Sequence, residues 1–286
     1  MEEQKPGTLC LVATPIGNLE DMTFRAVKTL QECDIIAAED TRHTLKLLNH
    51  FEIKKPMISY FEHNKNQRGE ELIRLLLDGK NIALVTDAGS PGISDPGEDL
   101  VRLAIQNRIP VTMAPGAAAF VMGLVLSGLS CSRFCFEGFL PHEKKDRKKK
   151  LEGLRKEERT VIFYISPHRT LEVLADVRET FGNRSCALCR ELTKKHEEIL
   201  RGSIDELIAE LTKRESIKGE MVLILQGNEG TSEEHANEWL TMTIEEHMEL
   251  YLSRGLDSKD AMKQVAVDRG LPKREVYSRY VLKREE

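Results

Sequence analysis

NIALVTDAGSPGISDPG, residues 81–97, decides the fold. Its first half, NIALVTDA (81–88), is an apolar run of strand length that ends at a Gly/Pro cluster. Its second half, TDAGSPGISDPG (86–97), puts Gly89, Gly92 and Gly97, two prolines and two aspartates into twelve residues. Strand-to-helix connections usually take about 2–6 residues, so a loop this long and this patterned reads as a binding loop. It follows the carboxyl end of a strand, where open parallel sheets hold their ligands.

Outward from this stretch, strands and helices alternate. TLCLVA (8–13), DIIAAE (34–39), MISY (57–60) and PVTMA (110–114) read as further strands. Helix-period segments at 20–32, 42–51, 67–78, 97–107 and 117–127 separate or follow them. Such alternation with short loops predicts a mostly parallel sheet covered on both faces. A small, polar seam, SGLSCSR (127–133), ends this pattern. Beyond it, strands at 133–139, 160–166, 184–190, 197–201 and 220–227 are joined by helices at 143–157, 168–180 and 204–214, which reads as a mixed sheet. Ser203 and Glu206 form an S-x-x-E capping box. The expected division is 1–126, 127–230 and a helical tail over 231–286. In the tail, Ser258 caps one helix, Gly270 breaks it, and a second begins at Lys273, as in a helix-turn-helix.

The chain has 286 residues, 40 % apolar and 31 % charged, which suits α/β domains and argues against disorder. No apolar run approaches the roughly 20 residues that span a bilayer. MEEQKPGTLC carries no positively charged leader before an apolar run, so a cytoplasmic location and no membrane partner are expected. Cys131/Cys135 and Cys186/Cys189 fit no usual zinc spacing, so no metal is expected and the cysteines read as small packed hydrophobes in a reducing compartment. Net charge is −5, which by itself argues against a nucleic-acid binder, but the charge is unevenly placed. Residues 144–150 read KKDRKKK, 231–250 hold six Glu and no Lys or Arg, and 257–284 hold eight Lys or Arg against four acids.

G-x-G-x-x-G and G-x-x-x-x-G-K-[ST] are both absent, which removes support for a dinucleotide site or a P-loop. Two other small-residue loops, ATPIGNLED (13–21) and APGAAA (114–119), follow strands and line the same rim as 86–97. The series ATPIGN, EDTR (39–42), DAGSPGISDPG, APG, FEGFLP (136–141), SPHR (166–169), RELTKKHEE (190–198) and KGE (218–220) occurs in this order. It resembles the bacterial ribosomal RNA small subunit methyltransferase I family, a branch of the tetrapyrrole methylase superfamily. The resemblance covers about residues 8–227 and departs at Ala13, where relatives commonly have proline.

That resemblance implies an α/β, two-domain tetrapyrrole-methylase-like fold with S-adenosylmethionine between the domains. It also implies a homodimer, 16S rRNA or the 30S subunit as partner, and a product 2′-O-methylated at a cytidine of the decoding region. Relatives in the superfamily methylate corrin carbons, so a tetrapyrrole C-methyltransferase is the alternative; a third reading is an RNA-binding assembly factor without catalysis. A small-molecule enzyme would have little use for KKDRKKK. By resemblance, Asp87, Ala88, Gly89 and Ile93 face the methionine and ribose of the donor, and Ala114, Pro115, Gly116 and Ala117 support it. Phe163, Tyr164, Arg190, Lys218, Gly219 and Glu220 close over the adenine.

A ribose hydroxyl is a poor nucleophile at neutral pH, so a base or charge-stabilising group is needed. Candidates are Glu39, Asp40, Arg42 and Asp95, with Tyr60, Glu62 and His63 as further options; the base itself stays unassigned. EDTR could equally be a cap and salt bridge at a helix start. Phosphate contacts are expected from Lys144, Lys145, Arg147, Lys148, Lys149 and Lys150 and from His168 and Arg169, with Lys194, Lys195 and His196 near the same cleft.

Overall fold

The computed structural model describes residues 5–228, 242–253 and 255–282. They form two compact units, 1–227 and 228–286. In the first unit, β1 (Leu9–Val12), β2 (Ile35–Ala38), β3 (Met57–Ser59), β4 (Ile82–Val85) and β5 (Val111–Ala114) make a sheet in the order β3-β2-β4-β1-β5. Every pairing in it is parallel. Both faces are covered, as its continuous apolar strands require. Leu72 and Leu76 of α3 (Lys65–Leu77) and Leu100 of α4 (Glu98–Gln106) pack on Leu9, Leu11 and Leu84. On the other face, Ala26 and Leu30 of α1 (Phe24–Glu32) and Leu48 of α2 (Thr41–His50) pack on Val12, Ile36 and Val85.

The second sheet runs β6-β7-β10-β8-β9, from β6 (Phe134–Phe139), β7 (Thr160–Ile165), β8 (Ser185–Arg190), β9 (Glu198–Ser203) and β10 (Met221–Leu225). Only β6 and β7 are parallel, so the sheet is mixed, as expected. Strand alternation splits it into two apolar faces. Val161, Phe163, Leu188 and Leu223 face α6 (Lys144–Gly153), α7 (Thr170–Phe181) and α8 (Ile204–Thr212). The Ser203–Glu206 capping box opens α8. Ile162, Cys189, Val222 and Ile224 face α5 (Ala119–Ser127) and the first sheet's loops.

α5 shows where the expected division at 126/127 departs from the packing. AFVMGLVLS is apolar all round, so it needs burial on more than one side. It lies on the second sheet, with Gly123 so close that a Cβ there would stand 3.1 Å from Ile224 Cδ1. The two sheets and α5 make one unit.

Among the described residues the second unit has three helices, α9 (Ile244–Ser253), α10 (Ser258–Asp268) and α11 (Lys273–Leu282), around Met248, Ala261, Val265 and Val276. The expected pair is present with Gly270 at φ +61° between its helices, and α9 is an addition to it. Asp257, rather than Ser258, caps α10: its carboxylate accepts from Lys259 N and Asp260 N, a stronger acceptor than a hydroxyl. Lys283 and Arg284 lie outside the described residues. No described helix is long and apolar enough to cross a membrane.

Candidate functional site

The loops after β1 and β4 are joined to each other. Thr14 N–H donates to Gly89 O at 2.9 Å and Gly89 N–H to Thr14 O at 3.1 Å, while Thr14 Oγ1 donates to Thr86 O. Gly89 holds φ +80°, a region costly for residues with a Cβ. Ser94 sits at φ +63° despite its side chain, a local strain of the kind that gathers at functional sites. Opposite it, a bulge between Phe136 and Gly138 bends β6, and Gly138 (φ +63°) would bring a Cβ 3.3 Å from Ser94 Oγ. The 86–97 loop is thus tied to β1 on one side and seated against the second sheet on the other.

Between them lies a cavity of about 350 Å³. The first sheet's loops contribute Ile16, Ala88, Gly89, Ile93, Asp95 and Ala118, α5 contributes Ala119 and Phe120, and the second sheet with its β8–β9 loop Tyr164, Leu192, Met221 and Val222. Phe120 stacks on Phe136 at 4.6 Å, and Tyr164 meets Phe136 and Phe139 at 4.9 and 5.3 Å, giving an aromatic wall. The cavity is mainly apolar with a few polar groups, as a cofactor site is.

Its charge is one-sided. Asp95 lines it, and its carboxyl is pushed up to about 7, first by burial and then by the charges of Glu39 and Asp87. Glu39 is raised as well, by burial and then by Asp87, and its Oε2 is buried without a hydrogen-bond partner among the described residues. Asp87 Oδ1 accepts from Asp40 N at 3.2 Å. None of these three carboxyls joins an ion pair among the described residues, and Asp95 is the one on the cavity wall, which favours a cationic occupant. S-Adenosylmethionine, a sulfonium with an aromatic base, fits both the acids and the aromatic wall. Among the described residues, no three His, Cys, Asp or Glu side chains are grouped so as to hold a metal ion.

Several expected residues lie elsewhere. Phe163 is fully buried and points to the α7 side, because its neighbours Ile162 and Tyr164 occupy the cavity face. Arg190 likewise alternates away from Cys189; its Nε donates to Glu198 Oε2 at 2.8 Å. Lys218 is exposed and lines neither cavity. Gly219 (φ +94°) makes room for Glu191, whose Cγ would lie 2.5 Å from a Cβ there. Ala114, Pro115, Gly116 and Ala117 act behind the wall: Ala114 is buried in the sheet, Pro115 O accepts from Thr23, and Gly116 packs on Ala13. The lining starts one residue later, at Ala118.

Asp40 and Arg42 pair with each other, Nη2 to Oδ2 at 2.8 Å, and Asp40 caps α2. Arg42 holds the Asp40 carboxyl at about 2, so Asp40 is no proton acceptor at neutral pH. Tyr60 is buried in the core against α3 and α4 and pushed up to about 12 by that burial; Glu62 pairs with Lys65, and His63 is exposed. The basic run is divided too. Arg147 is 0 % exposed, bound to Asp176 at 2.7 Å, to Glu172, and to the carbonyls of Pro141 and His142. Arg169 bonds the same two carbonyls at 2.9 Å. Lys148 pairs with Glu179 and Lys150 with Glu137, leaving Lys144, Lys145, Lys149 and His168 exposed. Sequence reasoning put Ile16, Ala118 and Ala119 on rim loops without naming them individually, and missed Phe120, Leu192, Met221 and Val222, which look like ordinary core until two sheets meet across them.

Residues 8–208 match the family model for tetrapyrrole (corrin/porphyrin) methylases. The chain belongs to this methylase family. It is 52 % identical over 96 % of its length to a protein named ribosomal RNA small subunit methyltransferase I from Halalkalibacterium halodurans, covering 94 % of that protein. A protein of the same name from Bacillus subtilis is 50 % identical over 97 % of the chain and 95 % of its own length. Solved structures share the fold: diphthine synthase (TM-score 0.58, 12 % identity, 77 % of this chain and 90 % of that one) and cobalt precorrin-4 methyltransferase (0.55, 16 %, 76 % and 94 %). As a methylase of this family it takes its methyl group from S-adenosylmethionine.

Proposed function

We propose that the chain 2′-O-methylates the ribose of a cytidine in the decoding region of 16S rRNA, acting in the cytoplasm on the rRNA or the 30S subunit. The observation that carries the chemistry is the uncompensated acid cluster beside the donor cavity. A ribose hydroxyl must lose its proton on methylation, and a carboxyl near 7 is poised to accept one. The near full-length identity to proteins named for ribosomal RNA supports the substrate class.

The bound donor supplies an electrophilic methyl group on sulfur. Ile16, Phe120, Leu192 and Val222 keep water from it, and the Thr14–Gly89 junction fixes the loop that seats it. We assign Asp95, coupled to Glu39 and Asp87, as the group that receives the hydroxyl proton, directly or through one water. Ala88, Gly89, Ile93, Tyr164 and Glu220 are the donor contacts retained from the sequence reading, and Asp87 lines the adjoining cavity instead. Lys144, Lys145, Lys149 and His168 are the exposed groups of the basic face offered to RNA phosphates. A second copy of the chain is the partner that would cover Val121 and Val125 of α5 and Met113 of β5, all exposed.

Tritiated methyl transfer to 30S subunits from a methylation-deficient strain, followed by alkaline hydrolysis, tests this. Label in an alkali-resistant dinucleotide is expected. Label on a base would overturn the ribose assignment, and transfer only to a tetrapyrrole would replace the substrate class.

A further inference from the structure

A second cavity, of about 500 Å³, shares Ile16, Ala88 and Glu220 with the donor cavity. The charges on the two walls differ. The donor cavity is lined by the acids Asp95 and Glu220 and by no Lys, Arg or His, whereas the second adds three basic side chains, His43, Lys46 and Lys194. Lys194 is committed: it bonds Glu191 and Glu220 at 2.9 Å each. Its stem crosses Gly17 so closely that a Cβ there would lie 2.3 Å from Lys194 Cγ. His43 and Lys46 are different. They stand three residues apart on α2, hence on one helix face, both are exposed, and neither joins an ion pair among the described residues.

We propose that the second cavity is the acceptor subsite, where Lys46 and His43 hold the phosphodiester next to the target ribose. The proposal rests on the RNA reading above and adds to it which face of the molecule takes the strand. A lysine ammonium is a compact point charge suited to a phosphate oxygen, and an imidazole N–H donates beside it. With the backbone held on α2, the ribose reaches the shared rim at Ile16 and Ala88. Asp87 flanks that rim from the second cavity and Asp95 from the first. The cations His43 and Lys46 line the second cavity and are absent from the donor cavity's lining, so the phosphate is gripped away from the donor's wall.

The test uses the full-length protein and 30S subunits lacking the modification. Initial rates are measured against 30S concentration at several salt concentrations for wild type, Lys46→Ala, Lys46→Arg and His43→Ala/Lys46→Ala, with donor affinity by calorimetry. Loss of Lys46 is expected to raise KM for 30S about tenfold and to flatten the salt dependence by about one counterion. Donor affinity should stay within about twofold, because neither residue lines the donor cavity, and Lys46→Arg should restore most of the KM. Wild-type KM and salt slope in the double variant would overturn the subsite while leaving RNA methylation standing. Failure of the wild type itself to methylate 30S or naked 16S rRNA, with donor bound, would remove the RNA reading and the subsite with it.

Discussion

Two clusters of shielded charge lie in the first unit, and they are built on opposite principles. Under α6, Arg147 has no exposed surface, but Asp176, Glu172 and two carbonyls satisfy its guanidinium. At the rim of the parallel sheet, Glu39, Asp87 and Asp95 repel one another, and one Glu39 oxygen has no partner among the described residues. Balanced burial serves the scaffold: it pins the Pro141–His142 turn beside Phe139, at the mouth of the cavity. Unbalanced burial is a standing cost that a cationic ligand would relieve, which is the ground for the proposed donor site.

The contrast is sharpest in the expected response to mutation. Arg147→Met should lower stability by about 3–5 kcal/mol, because it strands the buried Asp176 carboxylate, with donor affinity of the folded fraction unchanged. Urea denaturation checks this, and a loss below about 1 kcal/mol would break the comparison. Gly89→Val puts a β-branched side chain at φ +80° and a Cβ against Ile16. Donor binding should fall by more than about tenfold, or about 1.4 kcal/mol, in calorimetry, with a smaller loss of Tm.

Asp95→Asn should do the reverse of Arg147→Met, weakening donor binding severalfold while stabilising the free protein at alkaline pH. The Asp95 carboxyl lies near 7 when folded and near 3.9 when unfolded. Its contribution to folding is therefore complete below about pH 4 and is lost as pH rises through about 7. Tm measured from pH 5 to 8.5 should decline less in the variant than in wild type; parallel curves would remove Asp95 from the cluster. The smallest effect is expected at Lys148, whose pair with Glu179 is solvent-screened: Lys148→Ala should leave the urea midpoint indistinguishable from wild type.

The donor loop was legible because its signal is local. Glycines, prolines and acids in 86–97 announce a constrained turn at a strand end, and the structure puts Ala88, Gly89, Ile93 and Asp95 on the cavity wall. KKDRKKK was conspicuous for the same local reason, and there the reading overshot. Arg147, Lys148 and Lys150 find acids on α7 and β6, distant in sequence, so that a run of charge became three internal pairs and three exposed lysines. His43 and Lys46 show the converse. They are scattered along α2 without forming a run of charge, and Asp40 neutralises the neighbouring Arg42, yet His43 and Lys46 both face an open cavity.

The sequence by itself determined the parallel first sheet, the mixed second one, the long loop that lines the cavity and, through its ordered motifs, the methylase family. These depend on periodicity and on short-range backbone chemistry, which a linear chain displays. Only the tertiary structure decided which side of β7 and β8 faces the cavity, turning Tyr164 inward and Phe163 and Arg190 away. It also decided that α5 belongs with the second sheet and which charges are compensated. The physical reason is common to all three. Burial and electrostatic balance depend on neighbours brought together from distant segments, and a side chain's role is set when those neighbours arrive.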